Sequence, residues 1–225
     1  MIYILNDEAG EETLRIKGDM HKYLIKVRRH KEGDILSFRS RNGIEVLHNY
    51  KLESIEARSA LLSLTNSKKE IIKSKKELHI GWCIIDSGSI EKVLPMLCEI
   101  GVQKISFITC DRSQKNFKLD FNRFDRIVEA SMQQSGRTTY IEFDMYKNIK
   151  EFVLKFPDTK VFDFCDNTTD NYDSIKRVLI GCEGGFSPNE REIIKSLNLE
   201  KFKLDTPMVL RSESAVVAVA GKIVL

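Results

Sequence analysis

The sequence predicts an α/β protein in which a small β-rich module precedes a larger domain built on a mostly parallel sheet. After about residue 76, short apolar runs alternate with segments of helical periodicity, a pattern typical of a parallel sheet covered on both faces. Before residue 66 the apolar runs are short and strand-like, with turn residues between them. A chain of 225 residues is long enough to give this arrangement a substantial core.

The N-terminal module is predicted to contain strands at residues 2–5, 35–38, 44–47 and 60–64. Asn42-Gly43 separates two of these strands and indicates a hairpin. Asp19 is expected to cap a short helix that carries Leu24 and Ile25, and the whole resembles a small β-barrel. The lysine-rich stretch at 66–76 marks the boundary, so we expect domains at 1–68 and 74–225.

The second domain is predicted to begin with a strand at 78–85 and a helix at 90–100 that Gly101 closes. A strand at 105–109 follows, then a helix at 121–135 after Asp120, a helix near 149–156 and a strand at 161–164. Two strand-turn-helix units complete the domain, the first strand at 178–180 and the second ending at Leu210. Ser187, Pro188 and Glu190 form a capping-box signature, which places a helix start directly after the first turn.

The two turns of these last units, 181–186 and 210–215, are the candidate ligand loops. Glycine- or serine-rich turns at strand ends are where α/β domains usually hold ligands. Gly184 and Gly185 lack a Cβ and can adopt positive φ angles beside a ligand, although a simple tight turn is the more common explanation of an isolated Gly-Gly pair. Their spacing matches neither the dinucleotide nor the phosphate-loop fingerprint, which argues against both nucleotide classes.

Charge is nearly balanced, with 36 Lys and Arg against 33 Asp and Glu, but its distribution is uneven. Between residues 15 and 31, Asp19 is the only anion among seven cations: Arg15, Lys17, Lys22, Lys26, Arg28, Arg29 and Lys31. Such a cluster fits contact with a nucleic-acid backbone. A solvated helix face is the alternative interpretation.

The five cysteines are odd in number and contain no Cys-x-x-Cys pair, so we expect buried free thiols in a reducing compartment. The four histidines have no metal-ligand spacing, and no metal site is predicted. Neither a signal peptide nor an apolar run of about 20 residues is present. The pattern favours a cytoplasmic protein.

Four segments together resemble the bacterial 16S rRNA uracil N3-methyltransferases of the SPOUT superfamily. They are 99–102 with Arg112-Ser113 after the next strand, 134–137, 181–185 and 210–215. The resemblance implies a knotted methyltransferase domain that works as a homodimer, preceded by a PUA-like RNA-binding barrel. It also implies S-adenosylmethionine as cofactor and 16S rRNA, within the small ribosomal subunit, as partner. The sequence departs from the family at Cys182, where proline is usual, and at Ser214, where threonine is usual. It also departs before the last motif, where Asp205-Thr206 replaces the family's Leu-Gly pair and Leu204 lies one residue early.

The resemblance also implies roles for individual residues. Uracil N3 must lose a proton, which leaves negative charge on the base that a fixed cation would stabilise. Arg112 is the first candidate for this role and Arg137, reaching across a dimer interface, the second. Phosphate binding is the alternative for both, and a structural salt bridge is a further alternative for Arg112. Glu213 is expected to organise the pocket, and no general base is assigned.

The expected cofactor contacts lie in the two loops: Ile180, Gly181, Glu183, Gly184, Gly185, Leu204, Leu210, Ser212 and Ser214. The expected RNA contacts belong to the basic cluster: Lys22, Lys26, Arg28, Arg29 and Lys31. Two competing functions stay open at this point. One is another SPOUT enzyme that methylates a ribose 2′-hydroxyl or a different base, and the other is a non-catalytic rRNA-binding assembly factor.

Overall fold

The computed structural model describes residues 2–113, 118–169 and 171–225. The chain forms two compact units, one of Met1–Ile72 with Met132–Thr139, the other of Lys73–Ser131 with Tyr140–Leu225. The first unit thus ends within the lysine-rich stretch in which we placed the boundary. It also contains a second, distant segment that the predicted domain limits did not include.

The first unit is a five-stranded sheet in the order β1-β3-β4-β5-β2. Strand β1 runs parallel to β3, and all other neighbours are antiparallel. Leu24, Phe38, Tyr50, Leu52 and Leu62 are fully buried and form the centre of its core. The strands are β1 (Ile4–Leu5), β2 (Thr13–Lys17), β3 (Ile35–Arg39), β4 (Val46–Ile55) and β5 (Ser59–Lys69).

The short helix of this unit differs from the prediction at its start. Helix α1 spans Gly18–His21 and continues as a π-helical turn over Lys22–Val27. Asp19 lies inside the first turn rather than at the cap, a position that Lys17 occupies without a side-chain cap bond, so the predicted Asp19 cap is wrong. A carboxylate in the first turn still stabilises the helix through its dipole.

The predicted hairpin around Asn42-Gly43 is confirmed, because β3 and β4 are antiparallel neighbours. Its connection is longer than a two-residue turn: Arg41–Gly43 form a 3₁₀ turn whose Asn42 N–H is bound by the Ser40 side chain at 3.3 Å. Strand β2 is absent from the prediction. It pairs with β5 and alternates buried and exposed residues.

The second unit is a six-stranded sheet in the order β11-β9-β10-β6-β7-β8, parallel throughout, as the alternating pattern predicted. Its strands are β6 (His79–Cys83), β7 (Lys104–Ile108), β8 (Glu142–Tyr146), β9 (Lys160–Phe162), β10 (Arg177–Ile180) and β11 (Lys201–Phe202). Its helices are α2 (Ser87–Ile100), α3 (Phe121–Ser135), α4 (Ile149–Lys155), α5 (Pro188–Ser196) and α6 (Ser212–Val224). The last turn of α3 belongs to the first unit.

Two helix boundaries follow the sequence signals closely. Both hydrogen bonds of the predicted capping box form at α5: Glu190 N–H donates to Ser187 Oγ at 3.2 Å, and Ser187 N–H donates to Glu190 Oε2 at 2.8 Å. Gly101 closes α2 with φ 107°. A Cβ at Gly101 would lie 2.6 Å from the Cβ of Ser74, so both conformation and space require glycine.

Two predictions in this unit are wrong or incomplete. Strand β8 has no counterpart in the prediction, because its sequence is only weakly apolar. The apolar run before Arg211 is not a strand: β11 ends at Phe202, and residues 203–210 form a loop. Met208 and Val209 are more than two-thirds exposed, so their apolar character does not reflect burial in the sheet.

The prediction of five free thiols is also wrong. A disulfide joins Cys83, the last residue of β6, to Cys110, two residues beyond β7. Adjacent parallel strands bring the two Cα atoms to 5.8 Å, a normal separation for a disulfide, whereas spacing in the sequence does not reveal such a pairing. Cys98, Cys165 and Cys182 lie outside this disulfide and are thiols.

A chain of polar side chains crosses four neighbouring strands in the second unit. Arg177 Nε donates to His79 Nδ1 at 2.9 Å, so His79 carries its proton on Nε2, 2.6 Å from Ser106 Oγ. The Ser106 hydroxyl in turn donates to Asp144. Burial, and next the charges of Arg177 and Lys104, lower the pKa of His79 to about 4, so the ring is neutral at pH 7.

No helix among the described residues is long and apolar enough to cross a membrane.

Candidate active site

A cleft of about 290 Å³ opens where the chain leaves β9, β10 and β11. This volume lies just below the range of roughly 300–1,000 Å³ that is typical of ligand pockets. Because parallel strands present their carboxyl ends at one edge, the loops after them meet there. Seven of the nine predicted cofactor-binding residues line the cleft: Ile180, Gly181, Glu183, Gly185, Leu204, Leu210 and Ser212.

The first loop turns sharply at its glycines. Gly185 N–H donates to the Cys182 carbonyl at 2.9 Å, and Gly185 has φ 63°, a conformation that glycine adopts without strain. A Cβ at Gly181 would lie 3.2 Å from the Gly185 Cα, so the two ends of the turn approach closely. Burial raises the pKa of the Cys182 thiol, which keeps this side chain protonated at pH 7.

Ser212 connects the second loop to the first. Its hydroxyl accepts a hydrogen bond from Trp82 Nε1 at 2.8 Å and donates one to the Gly181 carbonyl at 2.6 Å. Ser212 and Trp82 are both buried. The hydroxyl therefore fixes the spacing between the start of α6 and the end of β10, besides lining the cleft.

Arg191 on α5 connects two further parts of the cleft wall. Its Nε donates to the Phe186 carbonyl at 3.2 Å, and its Nη2 donates to Asp163 Oδ1 at 2.9 Å. Asp163 follows β9 directly, lines the cleft and has a side chain only 3% exposed. A buried carboxylate needs such a partner because desolvation of an unpaired charge is costly.

Arg112 lies beside the first loop, outside the cleft lining. It occupies a turn in which Ser113 N–H donates to the Cys110 carbonyl at 3.0 Å. Its exposed guanidinium donates to the Gly184 carbonyl, and a Cβ at Gly184 would lie 3.1 Å from Arg112 Cδ. Gly184 thus contacts Arg112 instead of lining the cleft.

Asp111 anchors this turn to the start of α5. Its backbone N–H donates to Glu190 Oε1 at 2.8 Å, and its carboxylate accepts from Ser187 Oγ at 2.5 Å. The two capping-box residues therefore serve the helix and the neighbouring turn simultaneously. As a result, the position of Arg112 is set by the same residues that begin α5.

The remaining predicted residues of α6 are outside the cleft lining. Glu213 is partly buried in the first helical turn, with an oxygen 4.0 Å from the Arg211 guanidinium. Ser214 is exposed. The predicted roles of Glu213 in organising the pocket and of Ser214 in cofactor binding stay predictions.

Arg137 belongs to the first unit and is 5% exposed. Its Nε donates to the Thr139 carbonyl at 2.5 Å, and its backbone carbonyl accepts from the Tyr3 hydroxyl at 2.7 Å. This placement within a folded segment leaves its predicted catalytic role untested.

The five predicted RNA-binding residues are all exposed on the first unit. Arg28 Nε donates to the Tyr23 hydroxyl at 2.8 Å, and the guanidinium lies 5.3 Å from the Tyr23 ring centroid. Arg29 has φ 60°, an uncommon conformation for a side chain of this size. The others are Lys22, Lys26 and Lys31.

Asp163, Arg191, Asp111 and Trp82 are site residues that the sequence did not indicate. The position of Asp163 carried a usable signal, because it follows an apolar strand at the edge where the other two loops were placed. The hydrogen-bond partners of Trp82 and Asp111 are 130 and 76 residues away, and no local pattern reports such contacts. Among the described residues, no group of three or more side chains is suited to bind a metal ion.

A family model for the RNA methyltransferase domain matches residues 73–224, which is more than half of the chain and includes every residue of the cleft. The second unit is therefore an RNA methyltransferase domain.

Whole-chain relatives define the family. A Helicobacter pylori ribosomal RNA small subunit methyltransferase E is 36% identical over 226 residues, covering 98% of both chains. A Borreliella burgdorferi ribosomal RNA small subunit methyltransferase E 2 is 26% identical and covers 93% of this chain and 89% of its own. The chain belongs to the ribosomal RNA small subunit methyltransferase E family, which confirms the resemblance inferred from its four segments.

Solved structures agree on the fold. A Neisseria gonorrhoeae ribosomal RNA small subunit methyltransferase E, bound to S-adenosylmethionine, has a TM-score of 0.74 at 19% identity and covers 98% of this chain and 95% of its own. A Legionella pneumophila protein, also solved with bound S-adenosylmethionine, has a TM-score of 0.76 with the same identity and coverage.

Proposed function

We propose that this enzyme transfers a methyl group from S-adenosylmethionine to N3 of a specific uridine in 16S rRNA. The single observation that carries the assignment of the site is the cleft, where the two loops predicted to hold the cofactor meet. Family membership supports the reaction class, and the sequence resemblance supports uridine N3 as the target.

The residues of the cleft fit the cofactor. Apolar side chains such as Ile180, Leu204 and Leu210 can enclose the adenosine, and Gly181 and Gly185 line the cleft with backbone alone. Such a mainly apolar pocket with a few polar groups is typical of cofactor sites. When bound, S-adenosylmethionine supplies an electrophilic methyl group on a sulfonium.

Arg112 is proposed to stabilise the charge that develops on the target base. As N3 loses its proton and bonds to the methyl carbon, the C–S bond breaks and negative charge on the uracil carbonyls is stabilised by a fixed cation. Arginine has five N–H donors, so Arg112 can hold the Gly184 carbonyl and a substrate oxygen simultaneously. Its anchored turn provides the rigidity that such preorganised stabilisation requires.

The remaining site residues are assigned supporting roles. We propose Arg137 as the second catalytic arginine, contributed by the partner of a homodimer, and Glu213 as an organiser of the first turn of α6, which also carries Ser212 and Ser214. Glu183, exposed at the cleft, completes the cofactor loop. The base that removes the N3 proton is left unassigned.

The first unit is proposed to bind rRNA as a PUA-like barrel. Its exposed cations Lys22, Lys26, Arg28, Arg29 and Lys31 are suited to phosphate contacts, which position the substrate without reading its sequence. We further propose a SPOUT-type knot in the second unit, the small ribosomal subunit as the context of the rRNA, and the cytoplasm as the location.

Methylation assays with naked 16S rRNA, small subunits and large subunits test this proposal. We expect methyl transfer to 16S rRNA, strongest with the small subunit, and 3-methyluridine on nucleoside mass spectrometry. A 2′-O-methyl product would identify a different SPOUT activity. Absence of both transfer and cofactor binding in calorimetry would instead identify a non-catalytic assembly factor.

A further inference from the structure

One wall of the cleft contains a buried carboxylate oxygen without a partner. Among the described residues, three buried side-chain polar atoms lack a hydrogen-bond partner: His21 Nε2, Arg39 Nε and Asp163 Oδ2. Only Asp163 of these three lines the cleft. The unpartnered oxygen and the proposed cofactor site therefore coincide.

The surroundings of Asp163 hold its carboxylate in place on one side only. Its backbone N–H donates to the Phe202 carbonyl of β11 at 3.2 Å, and its Oδ1 is paired with Arg191 at 2.9 Å. Arg191 is itself fixed by the Phe186 carbonyl. The bond to Arg191 thus orients the carboxylate while leaving Oδ2 available as an acceptor.

A buried polar atom without a partner destabilises the folded protein, and charged groups are the most costly. Native structures therefore contain few such atoms, and each one needs an explanation such as a bound ligand, ion or water or a role in catalysis. An ionised carboxylate can only accept hydrogen bonds, so the missing partner must carry an O–H or N–H donor. An apolar or anionic ligand group at this position is excluded.

We propose that Asp163 is a cofactor-binding residue whose Oδ2 accepts a hydrogen bond from S-adenosylmethionine. The cofactor has suitable donors in its nucleoside part, as ribose hydroxyls and the adenine amino group, and in its amino-acid part, as the ammonium group. The carboxylate of the cofactor must lie away from Asp163, because two anions at hydrogen-bond distance repel. This inference rests on the assignment of the cleft to the cofactor, but not on which base is methylated.

Calorimetry on the full chain with Asp163→Asn tests the proposal without measuring activity. The amide preserves the shape and can still accept from Arg191 through Oδ1, but it then presents N–H groups where the cofactor needs an acceptor. We expect S-adenosylmethionine to bind about 10- to 100-fold more weakly, the range of a hydrogen bond to a charged group. Thermal unfolding of the unliganded variant verifies that it is folded.

Titration with 5′-methylthioadenosine, which lacks the amino-acid part, identifies the donor. An equal loss of affinity for both ligands places the donor on the nucleoside. A loss confined to S-adenosylmethionine places it on the ammonium group. A loss confined to S-adenosylmethionine supports a direct contact by itself, and an equal loss supports it when Arg191→Gln binds normally.

Two further variants separate direct contact from its alternatives. Arg191→Gln removes the charge beside Oδ1 but keeps an N–H donor that can orient the carboxylate, so a direct contact through Oδ2 predicts nearly normal binding. A loss as large as that of Asp163→Asn would show that Asp163 only positions the loop and would overturn the proposal. Leu210→Trp narrows the cleft, so it should weaken the binding of S-adenosylmethionine whether or not Asp163 contacts the cofactor.

The combined pattern distinguishes the possible failures. Weak binding by Leu210→Trp with normal binding by Asp163→Asn would reject the role of Asp163 while keeping the cleft. Normal binding by both variants would reject the cleft itself. A wild-type product other than 3-methyluridine would overturn the proposed function and leave Asp163 as a cofactor ligand.

Discussion

The hydroxyl of Ser212 donates to the carbonyl of Gly181 at 2.6 Å and so joins the two loops of the cleft. Its removal in Ser212→Ala leaves Trp82 Nε1 and the Gly181 carbonyl without this partner. Buried unpaired groups of this kind cost about 1–3 kcal/mol each. We expect the free energy of unfolding, measured by urea denaturation, to fall by about 1–3 kcal/mol for each of the two groups left unpaired.

Ser214→Ala is the matched control for this experiment, since Ser214 lies two residues further on the same helix and is exposed. Its effect on stability should stay within about 0.5 kcal/mol. Equal stability of the two variants would show that the Ser212 bonds contribute nothing measurable.

Arg112→Ala should reduce turnover much more than cofactor affinity. Removal of one preorganised donor to a developing oxyanion typically lowers kcat by about 10²–10³-fold, whereas Arg112 is outside the cleft lining. Steady-state kinetics with rRNA and calorimetry with S-adenosylmethionine measure the two effects separately. Arg126→Ala, at an exposed position of α3, is the control; wild-type turnover by Arg112→Ala would remove Arg112 from the mechanism.

Charge reversal at both Arg28 and Arg29 should weaken rRNA binding and flatten its salt dependence. Each lost phosphate contact lowers the slope of log K against log salt by about 0.7–0.9. Filter binding over a range of salt concentrations measures this slope. Arg58→Glu changes an equally exposed cation of the same unit outside the basic cluster, and a similar loss with this control would point to a general charge effect.

His79 predicts a loss of stability in mild acid. Its pKa is about 4 in the folded protein against an ordinary value of 6.5, so the unfolded chain binds the proton first as the pH falls. The contribution of neutral His79 is complete above about pH 6.5 and is lost between pH 6.5 and 4, by at most about 3 kcal/mol.

Thermal unfolding from pH 8 to pH 4 measures this dependence. In His79→Gln the amide can still accept from Arg177 and donate to Ser106, but it does not titrate. The variant should therefore show a shallower pH dependence over that interval. An unchanged profile would assign the acid sensitivity to other groups.

The disulfide predicts the number of reactive thiols. Protein denatured without reductant should react with a thiol reagent at Cys98, Cys165 and Cys182 alone, and at all five cysteines after reduction. Cys83→Ser should yield four reactive thiols with or without reductant. Five thiols in unreduced wild-type protein would contradict the bond between Cys83 and Cys110.

Local signals predicted the elements whose ends are determined by neighbouring residues. The capping box at Ser187 and the left-handed Gly101 are both contacts within one turn, and the structure places both helix ends accordingly. The pattern of apolar residues did not predict strands correctly where apolar residues are exposed or where a strand contains few apolar residues. Met208 and Val209 are apolar yet exposed in a loop, whereas the weakly apolar β8 is held by its pairing with β7.

Long-range contacts account for what the sequence did not reveal at the site. Seven predicted cofactor residues share one cleft because strand ends converge, which alternation of elements already implies. The bonds that fix the cleft, from Trp82 to Ser212 and from Arg191 to Asp163, join residues that are 130 and 28 positions apart. Their geometry depends on packing, so residue type and spacing alone do not reveal it.

The segment Met132–Thr139 completes the first unit, although about 60 residues separate it from Ile72. It accepts a hydrogen bond from Ile2 N–H at Gln133 and donates one from Thr138 N–H to the Ile72 carbonyl. Excision or exchange of the leading 72 residues as a cassette would therefore remove part of the fold it was meant to transfer. A protease that nicks the lysine-rich stretch would leave two fragments that the contacts of Met132–Thr139 with the leading residues hold together without a covalent link.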